Sequence, residues 1–150
     1  MKLNIGCGKT KKEGWENIDI DPFLLPDRVI DITMKFPYQA ESIDEVFTSH
    51  TLEHISREVL MSMTLPEIWR VCKPDAKVTI IVPYMFSQNV LNHVTFFNRD
   101  TFRNWDGKLY DSSDTFPFRF SFRLEKISVS HEWMPPFKPV EICAVMRARK

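Results

Sequence analysis

The sequence has no net charge and no long apolar segment. Twenty lysine and arginine residues balance twenty aspartate and glutamate residues, which argues against a large nucleic-acid interface because such interfaces usually need a basic excess. No apolar run approaches the roughly 20 residues of a membrane-spanning helix. Polar Asn4 and Gly6 interrupt the start of the chain. We therefore expect neither a membrane span nor a signal peptide.

Cysteine is also scarce. Cys7, Cys72 and Cys143 are far apart, odd in number and set in apolar stretches. We therefore expect reduced, buried thiols in a cytoplasmic protein. Because no Cys-x-x-Cys pair is present, the sequence predicts no cysteine-based metal site, and we expect no resident metal.

The overall composition of the chain is that of a soluble globular domain. Its 150 residues are 43% hydrophobic and 27% charged, values typical of soluble globular proteins. This length predicts a single domain, residues 1–150, with a sizeable core.

The opening stretch Leu3–Gly8 predicts a short buried strand followed by a glycine turn. A second strand is expected at Glu16–Asp19. Glycine lets the backbone approach a ligand, and a carboxylate at the next strand end can accept hydrogen bonds from ribose hydroxyls. The pattern favours a nucleoside cofactor, although a Gly-x-Gly turn is more often only a turn. Because only Cys7 to Trp15 separates the two strands, the first helix should be reduced to about a turn or replaced by a loop.

A third short strand, Arg28–Asp31, is again expected to end in an acid. Two such acids, Asp19 and Asp31, indicate a binding rim at the carboxyl ends of a parallel sheet. Each acid taken singly is equally compatible with a turn cap.

The remaining elements predict a main helix, a shorter helix and four more strands. Ser56 is expected to cap the main helix, and Pro66 to kink it or start a fresh turn. Its buried stripe should comprise Leu60, Met63, Ile68, Trp69 and Cys72. Asn98 should cap the shorter helix, Arg99–Trp105, and the expected strands are Glu45–Ser49, Val78–Val82, Phe118–Leu124 and Pro139–Val145. The last two have no helix between them, which predicts an antiparallel pair at one side of the sheet. Core or lid positions are expected for Phe96, Phe97, Phe102 and Trp105.

Six short motifs follow one another over about the first half of the chain. They are Leu3-Asn4-Ile5-Gly6-Cys7-Gly8, Gly14-Trp15-x-Asn17-Ile18-Asp19, Asp31 with Phe36-Pro37, Ser42-x-Asp44-x-Val46, His50-x-Leu52-Glu53-His54 and Glu67-Ile68-x-Arg70-Val71-x-Lys73-Pro74. Each motif is loose, but their succession resembles the class I S-adenosylmethionine-dependent methyltransferases of the type 11-like group. The resemblance implies a Rossmann-like α/β fold of three α/β/α layers, with a mostly parallel seven-stranded sheet and an antiparallel last strand.

The resemblance also implies a cofactor site for S-adenosylmethionine. The methionine and ribose portions would lie against the opening turn, made of Asn4, Gly6, Cys7 and Gly8. Asp19 would hold the ribose hydroxyls, and Ile20, Asp31 and Ile32 would lie at the adenine. Ser49 and His50 would lie where the methyl group and its acceptor meet.

Four residues, at three places in the chain, depart from the family pattern. Asn4 stands where many relatives carry an acid, Thr10 replaces a third glycine, and Asp75-Ala76 replaces a common Gly-Gly. These departures leave open a non-catalytic relative, or one that a protein partner or a second copy completes.

A further pattern, His50-x-x-Glu53-His54, matches the inverted zinc-protease motif. A zinc hydrolase would need both histidines on one helical face and a third ligand nearby. Because His50 directly follows a predicted strand, the methyltransferase is the favoured interpretation.

The expected chemistry is direct displacement at the activated sulfonium carbon, for which the enzyme mainly aligns the acceptor. If the acceptor is a hydroxyl or amine, His50 is the first candidate base and His93 the second. The neutral charge favours a small-molecule acceptor over a nucleic acid, and the sequence does not identify it further.

Overall fold

The computed structural model describes residues 1–84, 92–106, 120–130 and 141–150. They form one seven-stranded sheet of order β3-β2-β1-β4-β5-β7-β6. The strands are β1 (Lys2–Ile5), β2 (Glu16–Asp19), β3 (Arg28–Val29), β4 (Ile43–Ser49), β5 (Cys72–Pro83), β6 (Phe122–Val129) and β7 (Glu141–Ala148). Neighbours pair in parallel, except that β7 runs antiparallel to both β5 and β6. The predicted fold class and the antiparallel pair β6–β7 are confirmed.

The main helical stretch runs continuously from residue 57 to residue 71. It consists of α1 (Arg57–Val59), a π segment (Leu60–Thr64) and α2 (Leu65–Val71). Ser56 caps it as predicted, accepting a hydrogen bond from the Val59 amide. The π segment arises beside Pro66, which has no N–H to donate, and there the Leu65 amide bonds back to the Leu60 carbonyl.

The π segment also changes which side chains are buried. Of the predicted stripe, Leu60, Ile68 and Cys72 are buried and Trp69 is half-buried, but Met63 is exposed. Leu65 is buried instead. The prediction for Met63 was wrong because a π turn inserts one residue and rotates the following face.

Several strand boundaries differ from the sequence prediction. β3 ends at Val29 because Asp31 is part of a turn, and β5 begins at Cys72, directly after α2. β6 extends to Val129 because its pairing with β7 continues to Val129 and Ile142. Positions 118–119 and 139–140 of the two predicted late strands lie outside the described residues.

The two faces of the sheet are buried to different extents. Val46, Val78 and Met146 are neighbours across one face, are fully buried and share one core with the helical residues. Neighbouring Phe47, Thr79 and Val145 point to the other face and are only half-buried. On this face lies the connection 6–15, which forms turns without a helix, as expected. Its Trp15 packs edge-on against Phe47, with ring centroids 6.5 Å apart.

The helix α3 (Arg99–Trp105) begins at the predicted cap Asn98, whose side chain accepts from the Thr101 amide. Phe97, Phe102 and Trp105 are buried together, whereas Phe96 is exposed. The three cysteines are free thiols, and Cys143 is half-buried instead of buried. None of the helices in the described ranges is both long enough and apolar enough to cross a membrane.

Candidate functional site

Three neighbouring strand ends form one rim of the sheet. β1 lies between β2 and β4 and is parallel to both. Their carboxyl ends therefore bring Gly6 and Gly8, Asp19, and His50 to the same edge. From β1 the sheet continues to β2 and β3 on one side and to β4 and β5 on the other, so the strand order reverses at β1. Open α/β sheets bind their ligands at the carboxyl ends of the strands beside such a reversal.

The glycine turn has a packed side and an open side. Gly6 has φ +64°, and a Cβ there would overlap the side chain of Thr51. Gly8 has φ +53°, yet a Cβ would meet no heavy atom within 4 Å. The Cys7 amide ties the turn to β2 by donating to the Ile18 carbonyl at 3.0 Å. Burial raises the pKa of the Cys7 thiol, which favours an uncharged side chain in the turn.

Asp19 lies beside this turn and is held by two backbone amides. Its Oδ2 accepts from the Gly8 amide at 2.8 Å, and its Oδ1 accepts from the Asp21 amide at 3.1 Å. Each carboxylate oxygen can accept more than one hydrogen bond, and the side chain is half-exposed. Asp19 can therefore accept hydroxyl donors without releasing the turn.

Asn4 is buried beneath the turn and makes contacts within the protein. Its Nδ2 donates to the Thr10 carbonyl at 3.2 Å and to Asn17 Oδ1 at 2.9 Å. These bonds fix the connection 6–15, so any contribution of Asn4 to a ligand is through the shape of the loop.

Sequence reasoning missed Asn17 as the centre of this network. Its Nδ2 donates to the carbonyls of Lys12 and Trp15 and to Asp27 Oδ2, and its Oδ1 accepts from the Lys12 amide. Hydrogen bonds from Asn17 lower the pKa of Asp27. The signal was the Gly14-Trp15-x-Asn17 motif, in which an amide can supply both donors and acceptors.

The predicted adenine side is open and partly apolar. Ile20 is 63% exposed at the end of β2. Asp31 Oδ1 accepts from the Thr33 amide at 2.9 Å and from Thr33 Oγ1 at 2.6 Å. Ile32 is half-buried, and its carbonyl accepts from Thr64 Oγ1 at 3.0 Å. The exposed Ile20 side chain can pack against a flat ring. Asp31 is also exposed, so it can still accept hydrogen bonds from a ligand.

At the end of β4, Ser49 is half-buried, and its carbonyl accepts from Thr51 Oγ1 at 3.1 Å. His50 has φ +52°, an uncommon backbone state for a residue other than glycine. Its Nε2 lies 2.9 Å from Glu141 Oε1, and its Nδ1 lies 3.4 Å from Glu53 Oε1. The contacts with Glu53 and then Glu141 raise the pKa of His50.

Behind His50 is a cluster of Glu53, His54 and His93. Glu53 and His54 lie on the short 3₁₀ helix Leu52–His54, and His93 is brought to them by backbone bonds between Glu53 and residues 94 and 95. One potential ligand atom from each side chain lies within 4.8 Å of the others. His50 precedes the 3₁₀ helix, so the two histidines of the inverted protease pattern are not on one helical face.

No family model matches the chain, and no curated protein matches it. Solved structures do match. A SAM-dependent methyltransferase from Archaeoglobus fulgidus is 16% identical, with a TM-score of 0.67 over 97% of this chain and 85% of that one. A second match is a 1,6-didemethyltoxoflavin-N1-methyltransferase from Burkholderia thailandensis, solved with 1,6-didemethyltoxoflavin and S-adenosylhomocysteine. It is 14% identical, with a TM-score of 0.67 over 99% of this chain and 71% of that one.

A third similar structure is the Haloferax volcanii complex that contains the Trm112 methyltransferase activator. Its matching chain is 14% identical, with a TM-score of 0.67 over 99% of this chain and 82% of that one. At such low identities these similarities concern the fold.

Proposed function

The chain has the fold of the class I S-adenosylmethionine-dependent methyltransferases, and from this premise we propose that it transfers a methyl group from S-adenosylmethionine to a small-molecule acceptor. The observation that carries the proposal is the pairing of Asp19 with the Gly6–Gly8 turn. The turn has an open side, and the carboxylate beside it is held in place with hydrogen-bonding capacity to spare.

The residues present fit the cofactor. The turn of Gly6, Cys7 and Gly8 would receive its methionine and ribose portions, and Asp19 its ribose hydroxyls. Exposed Ile20 would pack on the adenine, with Asp31 and Ile32 beside it. When bound, S-adenosylmethionine supplies an activated methyl carbon.

The chain's own contribution is to hold an acceptor in line with that carbon, since alignment can supply much of the rate enhancement. Ser49 and His50 lie at the end of β4, where we expect the acceptor. His50, and after it His93, are the candidates for removing an acceptor proton. A His50→Ala variant with full turnover would remove this role from His50.

Small molecules are the acceptor class we favour. The balanced charge of the chain supports them over nucleic acids. The Burkholderia thailandensis neighbour, which was solved with 1,6-didemethyltoxoflavin, is consistent with this choice.

A second candidate is a methyltransferase-fold protein that needs a protein partner, or that binds without catalysis. It is favoured by the half-buried second face of the sheet, where the connection 6–15 contains no helix. The Haloferax volcanii neighbour belongs to a complex that contains a methyltransferase activator. The two candidates differ in whether the isolated chain binds the cofactor and turns over.

Calorimetric titration with S-adenosylhomocysteine tests the proposal. We expect micromolar binding by the wild-type chain and a loss of about 10- to 100-fold in Asp19→Asn, because hydrogen bonds to a charged group contribute about 1.5–3 kcal/mol. Glu13→Gln, which removes an exposed charge from the same connection, should bind as wild type. Equal affinity of all three proteins would reject the Asp19 assignment, and no binding at all would favour the partner-dependent candidate.

A further inference from the structure

We propose that Glu53, His54 and His93 form a binding site for a first-row divalent cation, for which zinc is the natural probe. The proposal differs from the sequence-based expectation of no metal. One carboxylate and two imidazoles are a donor set that proteins use for zinc and for neighbouring transition metals, with positions left open for other ligands.

Glu53 is the strongest reason for the proposal. Its side chain is 1% exposed, and among the described residues the nearest donor to its carboxylate is His50 Nδ1, at 3.4 Å from Oε1, too long and poorly aligned to satisfy that oxygen. Oε2 has no hydrogen-bond donor among the described residues. Burying a carboxylate without partners is costly, and native proteins rarely leave such groups unsatisfied. A bound cation would supply the missing partner.

Backbone bonds hold His93 at this carboxylate. The amides of Val94 and Thr95 donate to the Glu53 carbonyl at 2.9 and 3.1 Å, and Thr95 Oγ1 donates to the Ile55 carbonyl at 2.6 Å. His93 Nε2 consequently lies 4.0 Å from Glu53 Oε1. Glu53 and His93 are 40 positions apart in the chain, but the strap formed by Val94 and Thr95 holds both in place.

His54 has one ring nitrogen engaged by the backbone and one available to a ligand. Its Nδ1 lies 3.3 Å from the Asn92 carbonyl, and donation there leaves Nε2 as the free lone pair. Metal-binding histidines characteristically donate their second ring nitrogen to a carbonyl in this way. The His54 and His93 rings meet edge to face, with centroids 5.0 Å apart.

The three donor atoms need to move only a short distance to bind one ion. Bonds of about 2.0–2.1 Å in a tetrahedral site place ligand atoms about 3.3 Å apart. The three donors lie within 4.8 Å of one another, so side-chain rotations that bring them up to about 1.5 Å closer complete the set. Exposed His54 can make such a movement without disturbing the core.

The competing explanation is that His50 alone compensates Glu53. Its Nδ1 is 3.4 Å from Glu53 Oε1, but its Nε2 is closer to Glu141, at 2.9 Å. This contact accounts for one carboxylate oxygen and leaves the approach of His54 and His93 unexplained. The metal site does not depend on methyl transfer, because it concerns only what the chain binds.

The test is titration of the chelator-treated 150-residue chain with Co²⁺ and with Zn²⁺. We expect one ion per chain, visible d–d absorption from cobalt without a thiolate charge-transfer band, and a zinc-dependent rise in Tm. Glu53→Gln and His54→Ala should each weaken binding at least 10-fold. His54 is exposed, so His54→Ala should fold even if the buried Glu53→Gln variant does not.

Two controls make the result decisive. Glu58→Gln removes an exposed carboxylate from the neighbouring helix and should bind as wild type. His50→Ala should keep one ion per chain, because His50 is outside the proposed donor set. Absence of stoichiometric binding, unchanged affinity in His54→Ala, a thiolate band that assigns the ion to a cysteine, or loss of binding in His50→Ala would overturn the proposal.

Discussion

At the scale of single residues, Gly6 and Gly14 share a backbone conformation but differ in surroundings. Both have positive φ, +64° and +74°, which costs an L-residue about 1–2 kcal/mol. Only at Gly6 would a Cβ also overlap Thr51, while at Gly14 no atom lies within 4 Å. Gly6 therefore carries a steric requirement in addition to a conformational one.

We expect Gly6→Ala to lower the free energy of unfolding by more than about 2 kcal/mol, and Gly14→Ala to lower it by about 1 kcal/mol. Urea unfolding measures both values. Calorimetry with S-adenosylhomocysteine should show weaker binding in Gly6→Ala only. Equal losses in the two variants would mean that the contact with Thr51 is relieved without cost.

At the scale of secondary-structure elements, Glu67 and Arg70 join α2 to the loop between β3 and β4. Glu67 is buried and accepts from the Phe36 amide at 2.8 Å and from Arg70 Nε and Nη2 at 2.7 Å each. Arg70 also donates to the carbonyls of Phe36 and Tyr38. The hydrogen bonds from Arg70, with that from Phe36, lower the pKa of Glu67.

This lowered pKa predicts an acid-dependent stability. The carboxylate is favoured in the folded state, so its contribution is complete above the unfolded pKa of about 4.3 and is lost as pH falls through the lower folded pKa. We expect Glu67→Gln to destabilise the chain by about 1–3 kcal/mol at pH 7, and the gap to wild type to close in acid. Urea unfolding at several pH values measures it, with exposed Glu58→Gln as control. A gap independent of pH would contradict the assignment.

How far the elements could be predicted depends on whether their signals are local. The cap residues Ser56 and Asn98 were identified correctly because each bonds to an amide three residues away. The buried stripe failed at Met63 because the π segment changes the helical period. Pro66 marked the irregularity, but the sequence did not specify its form.

At the scale of the whole molecule, the central strands separate a buried face from a half-buried one. Val78 is fully buried against the helices, whereas Val145, on β7, points to the other face. Removing buried methyl groups loses transfer free energy and leaves a cavity, while a partly exposed site loses less. A valine-to-alanine substitution on each face therefore measures how well that face is buried.

We expect Val78→Ala to cost about 2–3 kcal/mol and Val145→Ala less than about 1 kcal/mol. Chemical denaturation of the two variants beside wild type measures the difference. Comparable losses would show that the second face is covered in solution.

The candidate site was only partly predictable from the sequence, because only some of its contacts are local. Gly6, Gly8 and Asp19 belong to one short segment, and their types indicate a turn and an acceptor. Which atoms hold Asp19 remained hidden, as did the approach of His93 to Glu53 across 40 positions. Such contacts depend on the whole sheet and on the strap at Val94 and Thr95, for which no local pattern exists.

The short connection 6–15 also bears on chain entropy. Paired Ile5 and Ile18 are 13 positions apart, whereas paired Val78 and Met146 are 68 apart. Loop-closure entropy grows with the logarithm of loop length, so the longer closure costs about 1.5 kcal/mol more. The strand ends that carry Gly6 and Asp19 are therefore joined by a local closure of low entropy cost, and opening the β5–β7 pairing need not separate them.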